Sequence, residues 1–342
     1  MRRQGAATVA QQPATMGRLG VETAAKFLAG EQVDEYIPVP LALVSATEGA
    51  TLTPAGEGYT IGLSVSTLNN PFFVDLKEGA ESEADTSGVT LIVVDAQNDP
   101  AREATNIEDL IQQGVDALLV NPTDGDAVVP SIEKANAAGI PVITVDRAAN
   151  GGQVISHIAS DNVAGGALAG EYLCNALGGT GQVVELEGIP GTSAARDRGQ
   201  GFETYLSEQC PGLEIIAKQT ANFDRAEGLT VFENILQAQP QIDGVFAQND
   251  EMVLGAIEAA DAAGRTGITF VGFDAIYDAL LAVDSGSLAA TIAQRPHLMG
   301  VLGVQNAVQY LNGESVLPNI PVDLAVVDKE VIDTYLPAPT GG

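Results

Sequence analysis

The sequence contains no tryptophan, two histidines and two cysteines, and aromatic residues make up only 5% of its 342 positions. Bases are scarce too: 15 Lys and Arg stand against 45 Asp and Glu, a formal net charge of −30. Each shortage excludes something. Cys174 and Cys210 fall in neither a metal-ligand nor a redox spacing, and only His157 and His297 are available to complete a set, so no zinc or other metal site is expected. The acidic balance repels nucleic acid and anionic membrane surfaces, and it suits a well-solvated protein handling a neutral ligand. No apolar run approaches the length of about 20 residues that a membrane-spanning helix needs. No hydroxyl–histidine pair or metal-held nucleophile emerges. Asp146 or Asp274 alone would offer no more than a general base, so an enzyme is disfavoured and no cofactor is expected.

What remains is a chain rich in small and apolar residues, with 45% hydrophobic content and 38 glycines. Its length exceeds one ordinary core and fits two lobes. From Tyr59 onward, short β-branched runs alternate with helical patterns. Strands are expected over 59–65, 89–95, 117–120, 142–145, 156–159, 183–187, 214–218, 244–247, 269–273 and 289–293. Helical patterns cover, among others, 74–86, 101–114, 127–139, 164–177, 226–238 and 252–264. Strands apolar on both faces are buried parallel strands, so the chain reads as α/β with doubly wound sheets. The turn Ser66-Thr67-Leu68-Asn69-Asn70-Pro71-Phe72-Phe73 joins the first of these strands to a helix, with Asn70 as N-cap and Pro71 at its first position. Such turns lie at the carboxyl ends of parallel strands, where open sheets bind ligands. Polar residues collect at other strand ends: Asn121 to Asp124, Asp146-Arg147, Gln248-Asn249-Asp250, Asp274 and Gln294. Arg196 reads as a surface or interlobe ion pair, His157 as a structural strand residue, and Gly178 to Gly181 as a turn rather than a phosphate loop.

At these residues the chain resembles the bacterial ribose-binding proteins, periplasmic solute-binding subunits of ABC importers. The resemblance rests on S-T-L-N-N-P-F-F, N-P-T-D, P-V-I-T-V-D-R, S-H-I-A-S-D-N, G-T-S-A-A-R-D-R-G, F-A-Q-N-D-E-M, V-G-F-D and L-A-A-T-I-A-Q, in order between Tyr59 and Ile332. It implies two doubly wound parallel-sheet lobes joined by a three-stranded hinge, with crossings near Ser160, Gln294 and Asp323. The first lobe is expected over 58–160 plus 295–323, the second over 161–294 plus 324–332, and a tail over 333–342. Matched motifs give ten ligand contacts: Asn70, Phe72, Phe73, Asp146, Arg147, Arg198, Phe223, Asn249, Asp274 and Gln294. Their chemistry suits a sugar. Phenyl rings cover its C–H faces, and the arginines and carboxylates bind hydroxyls through charge-assisted bonds. Asn70, Asn249 and Gln294 are expected both to donate and to accept. The implied partners are a monosaccharide, D-ribose above others, the membrane permease of an ABC importer, and a chemoreceptor, in the periplasm or outside the cell. Another aldose or a furanose signal is the nearest alternative. The effector domain of a LacI-type regulator shares the fold but would need a basic helix-turn-helix that residues 1–57 do not offer. An exported protein would oxidise its thiols, and a Cys174–Cys210 disulfide is expected.

Residues 1–57 are extra to that family pattern, and Met1 to Ala10 has no apolar core of a secretory signal. Instead, residues 7–44 align without a gap with residues 290–327, with 21 of 38 pairs identical. They are read as a second copy of the hinge strand, helix and last strand, followed by a linker over 45–57. The expectation is that this copy comes from the tail of an upstream binding protein. Residues 290–327 already belong to the intact core, so the copy should find its docking site occupied and pack outside the main sheets or exchange between molecules, and Gln11 is expected not to contact sugar although its counterpart Gln294 does.

Overall fold

The computed structural model describes residues 7–10, 42–45 and 58–336. The chain divides into two units, residues 1–53 and 54–342. In the first, β1 (Ala7–Ala10) pairs antiparallel with β2 (Ala42–Ser45). β2 runs one residue into the stretch whose composition reads as linker. The rest of the expectations for residues 1–57 lies outside the described residues.

In the second unit, β/α alternation builds two six-stranded sheets. One takes β3 (Thr60–Val65), β4 (Thr90–Asp95), β5 (Ala117–Val120), β6 (Val142–Val145), β7 (Ser156–Ser160) and β13 (Asn319–Val322), in the order β13-β7-β6-β5-β3-β4. The other takes β8 (Gly181–Glu187), β9 (Leu213–Thr220), β10 (Gly244–Ala247), β11 (Thr269–Asp274), β12 (Ala290–Ala293) and β14 (Ala325–Asp328), in the order β14-β12-β11-β10-β8-β9. The first sheet is wholly parallel. In the second, β14 runs antiparallel to β12, which departs from the all-parallel reading. The reason is connectivity: β14 follows β13 across the hinge and enters the second lobe from its cleft end, so it must run outward.

Helices cover both sheets: α1 (Pro71–Ser87), α2 (Pro100–Gln113), α3 (Val129–Ala137), α4 (Asn162–Ala176), α5 (Ser193–Gln209), α6 (Arg225–Ala238), α7 (Asp250–Ala262), α8 (Tyr277–Ser285) and α9 (Pro296–Leu311). Three helix pairs pack unusually closely, α1 with α9, α4 with α5 and α6 with α7. Each does so through glycines facing a partner carbonyl: a Cβ on Gly79 or Gly300, Gly166 or Gly201, and Gly228 or Gly255 would collide with backbone oxygen. The chain crosses between lobes three times: from β7 to α4, from β12 to α9, and from β13 to β14. Parallel strands end toward these crossings, so both sheets aim their carboxyl ends at one cleft. Cys174 and Cys210 are joined, with Cα atoms 6.1 Å apart, tying the end of α4 to the end of α5.

Candidate functional site

The expected site residues sit at or near element ends facing the cleft, Arg198 lying one turn inside α5. Asn70 is the extended N-cap of α1, and its side-chain oxygen accepts from Phe72 N at 2.9 Å. Asn249 caps α7 in the same way, accepting from Met252 N at 3.0 Å, and its Nδ2 donates to the Phe223 carbonyl at 3.2 Å. Capping engages one of the two lone pairs of each amide oxygen, so both asparagines are anchored by their acceptor and keep an N–H and a second lone pair for a ligand. Gln294 is the opposite. Its Nε2 donates to Asp274 Oδ1 at 2.8 Å, and its buried Oε1 has no partner.

Backbone strain concentrates here. Among the described residues, only seven non-glycine positions have positive φ, and three are expected contacts: Asp146 at 62°, Phe223 at 59° and Asp274 at 122°. The value at Asp274 lies well outside the left-handed helical well. These conformations turn the two carboxylates and the ring out of their strand and loop directions and into the cleft. Strain of this kind persists only where the surroundings over-determine it.

The charges balance. Asp146 and Arg147 in the first lobe, and Arg198 and Asp274 in the second, are all at most 7% exposed. Arg147 Nε lies 3.8 Å from Asp146, and Arg198 Nη1 lies 3.6 Å from Asp274. Burial pushes Asp146 above the usual carboxylate range against the pull of Arg147 and Arg198. It lifts Asp274 to about 7, opposed by Arg198 and the Gln294 hydrogen bond. The arginines also stack on aromatic rings. Arg147 lies 5.1 Å from the centre of Phe73 and 5.4 Å from that of Phe223, while Arg198 lies 3.8 Å from that of Phe273.

All ten expected residues line one small cavity, with Ala194 as an eleventh. Arg196 is not among them; it pairs with neighbouring Asp197 at the surface. His157 is in β7, its Nδ1 2.8 Å from Thr144 Oγ1. Behind the cavity, Asn121 and Gln248 from the polar strand ends, together with Asn162, form a supporting layer. Asn121 donates to Asp146 Oδ2 at 3.1 Å, and Asn162 accepts from Arg198 Nε at 2.8 Å. Gln248 accepts Arg198 through its carbonyl at 2.6 Å and holds the Gly188 N–H at 2.9 Å. Gly188 in turn lies directly against the Phe223 ring, with no room for a Cβ. The signal for Asn121, Asn162 and Gln248 is their place inside the family motifs N-P-T-D, S-H-I-A-S-D-N and F-A-Q-N-D-E-M; their roles needed coordinates.

Polar atoms buried at this cavity remain unpartnered: Asp146 Oδ1, Arg147 Nε and Gln294 Oε1. Two acceptors and a donor buried without a protein partner are costly unless something that enters the cavity satisfies them. The lobes also touch beside the cavity, where Ala148 N donates to Ser193 Oγ at 2.9 Å and Gly125 N to the Gly191 carbonyl at 3.0 Å. The geometry is that of a closed cleft.

Two lobes joined by three crossings and shut on a small polar cavity define a solute-binding protein. The periplasmic binding protein domain matches residues 61–315, and the chain belongs to that family. It is 52% identical over 271 residues to the ribose import binding protein RbsB of Escherichia coli (strain K12), which covers 79% of this chain and 91% of that one. It is 51% identical over 266 residues to RbsB of Bacillus subtilis (strain 168), covering 78% and 86%. Among solved structures, an ABC transporter solute binding protein from Bacillus halodurans C-125 with bound myo-inositol superposes with a TM-score of 0.78 at 34% identity, covering 82% of this chain and 98% of that one.

Proposed function

We propose that this protein captures a monosaccharide, D-ribose before other sugars, and delivers it to the membrane permease of an ABC importer in the periplasm or outside the cell. The observation that carries the reading is the set of unpartnered buried atoms, Asp146 Oδ1, Arg147 Nε and Gln294 Oε1, beneath phenyl rings from both lobes. A sugar hydroxyl donates and accepts at once, so it satisfies a carboxylate, an amide oxygen and a guanidinium from one small ring. The C–H faces of that ring lie against Phe72 or Phe73 of one lobe and Phe223 of the other. The preference for ribose is supported by the ten matched contacts and by the 52% identity to ribose import binding proteins. A sugar touching both lobes favours the closed form by differential affinity, which is how binding becomes a signal to the permease. The same closed form would be read by a chemoreceptor. The hydroxyl–histidine pair of Thr144 and His157 lies outside the cavity lining, no group of metal ligands is found among the described residues, and the relatives are binding proteins.

The test is a melting screen with pentoses and hexoses, followed by calorimetry. A ligand binding only the native state raises the melting temperature. D-ribose is expected to give the largest rise and D-glucose little. No shift with millimolar D-ribose overturns the ribose reading; a larger shift with another aldose reassigns the sugar and leaves the binding function in place.

A further inference from the structure

Residues 290–328 complete both lobes. They supply β12 and β14 at the edge of one sheet, α9 against α1 of the other lobe, and β13 at its sheet edge. The copy at residues 7–44 keeps the parts of this unit that make those contacts. Of the 15 positions buried within 290–327, 12 carry the same residue in the copy; of the other 23, nine do. The three buried differences are Ile292 to Val9, Asn306 to Thr23 and Val308 to Ala25. Gly300 is the sharpest case. A Cβ there would collide with the Leu76 carbonyl of α1, and the copy has Gly17 at the matching position. A solvent-exposed tail has no reason to retain a glycine in a helical pattern, where it costs about 1 kcal/mol relative to alanine.

The backbone adds an independent observation. β1 and β2 pair Ala7 with Ser45 and Ala10 with Ala42. β12 and β14 pair Ala290 with Asp328 and Ala293 with Ala325. These are the same pairs in the alignment of the two copies. The first and last strands of the copy thus meet in the antiparallel register that the edge of the second lobe requires.

We infer that residues 7–45 are an exchange element that takes the place of residues 290–328 in a second copy of this chain. The acceptor is another molecule because of reach. β3 starts at the outer end of the first lobe, and β14 ends at the outer end of the second. Their six and four residues alone separate those ends by about 33 Å before the cleft is added. The 14 residues from 46 to 59 extend at most about 50 Å with no slack to pass around the lobes. Exchange between molecules carries no such constraint, and it is the known behaviour of duplicated elements. In the exchanged form Gln11 replaces Gln294 at the cavity.

Three variants of the full chain test this: Gly300→Leu, Gly17→Leu and the double substitution. Each is read by circular-dichroism melting and by light-scattering mass over a hundredfold concentration range, without sugar, so the outcome is independent of the ligand. Gly17→Leu is expected to behave as the parent. Gly300→Leu is expected to keep a cooperative melt and to shift to dimers or larger species as concentration rises. The double variant is expected to lose the cooperative melt. If Gly300→Leu alone loses the melt, the copy cannot substitute. If it stays folded and monomeric at every concentration, or if the double variant remains folded, exchange between molecules is wrong.

Discussion

The two arginines of the cavity, one from each lobe, are held in opposite ways. Arg198 of the second lobe is pinned on every side. Its Nε donates to Asn162, its Nη1 to the Gln248 carbonyl, Asp274 stands at 3.6 Å, and its guanidinium lies on Phe273. Arg147 of the first lobe makes one protein hydrogen bond, from Nη1 to the Pro122 carbonyl at 3.3 Å, and its Nε, 3.8 Å from Asp146, makes none. It leans on Phe73 of its own lobe and on Phe223 of the other. The same side chain therefore does two jobs. Arg198 is part of the second lobe's framework and presents a fixed surface. Arg147 spans the cleft and keeps hydrogen-bonding capacity for what enters it.

Removing each arginine is the strongest way to break that contrast. Arg198→Ala strips donors from Asn162, Gln248 and a buried Asp274, so a stability loss of about 3–5 kcal/mol is expected in the sugar-free protein. Urea unfolding would show it as a lower midpoint. Arg147→Ala should leave that midpoint much closer to the parent while weakening sugar binding by roughly 2–5 kcal/mol, read by calorimetry. Equal losses of stability in the two variants would erase the distinction.

A second contrast lies behind the site, where each lobe buries one glutamate. Burial lifts both Glu103 and Glu185 from 4.5 to about 7. Glu103 is met by Thr123, whose N–H and Oγ1 both donate to it. Glu185 accepts from Gln248 Nε2 at 2.8 Å, and its Oε2 is unpartnered. Both folded-state values lie above the unfolded ones, so the native state binds more protons, and stability falls as pH rises from about 4.5 through about 7. The span sets an upper limit of about 3 kcal/mol for each group. Glu185→Gln should flatten that fall and be neutral or stabilising at pH 7.5. Glu103→Gln should flatten it too and leave stability at pH 5 nearly unchanged, since the protonated acid and the amide both accept on one oxygen and donate on the other side toward Thr123. Urea midpoints between pH 5 and 8 would decide this; an unchanged slope in Glu185→Gln removes that residue from the pH dependence.

The smallest effect concerns closure. Ser193 Oγ of the second lobe accepts from Ala148 N of the first. Ser193→Ala should cost about 1 kcal/mol of sugar affinity, the worth of one hydrogen bond made only in the closed form, and leave the sugar-free midpoint unchanged. A drop in that midpoint would mean the lobes stay shut without ligand.

Sequence by itself determined a good deal. Alternating buried strands and capped helices follow from period and end chemistry, so two α/β lobes could be read from patterns at 60–65 or 250–262 without coordinates. Ordered motifs named ten residues that converge on one cavity, because strand ends of a parallel sheet meet at one face. The duplication at 7–44 is a property of sequence alone. Tertiary structure decided the rest. No local pattern says that β14 turns antiparallel, because its direction comes from a crossing made by the hinge. Local pattern made Asn70 a cap, but only the structure shows its side-chain oxygen held by Phe72 N while the same residue lines the cavity. The positive φ at Asp146, Phe223 and Asp274 is likewise invisible in sequence, since none of the three is a glycine. Which arginine is framework and which is free depends on Asn162, Gln248 and Phe273, residues up to 75 positions from Arg198 that approach it only when the lobe has folded.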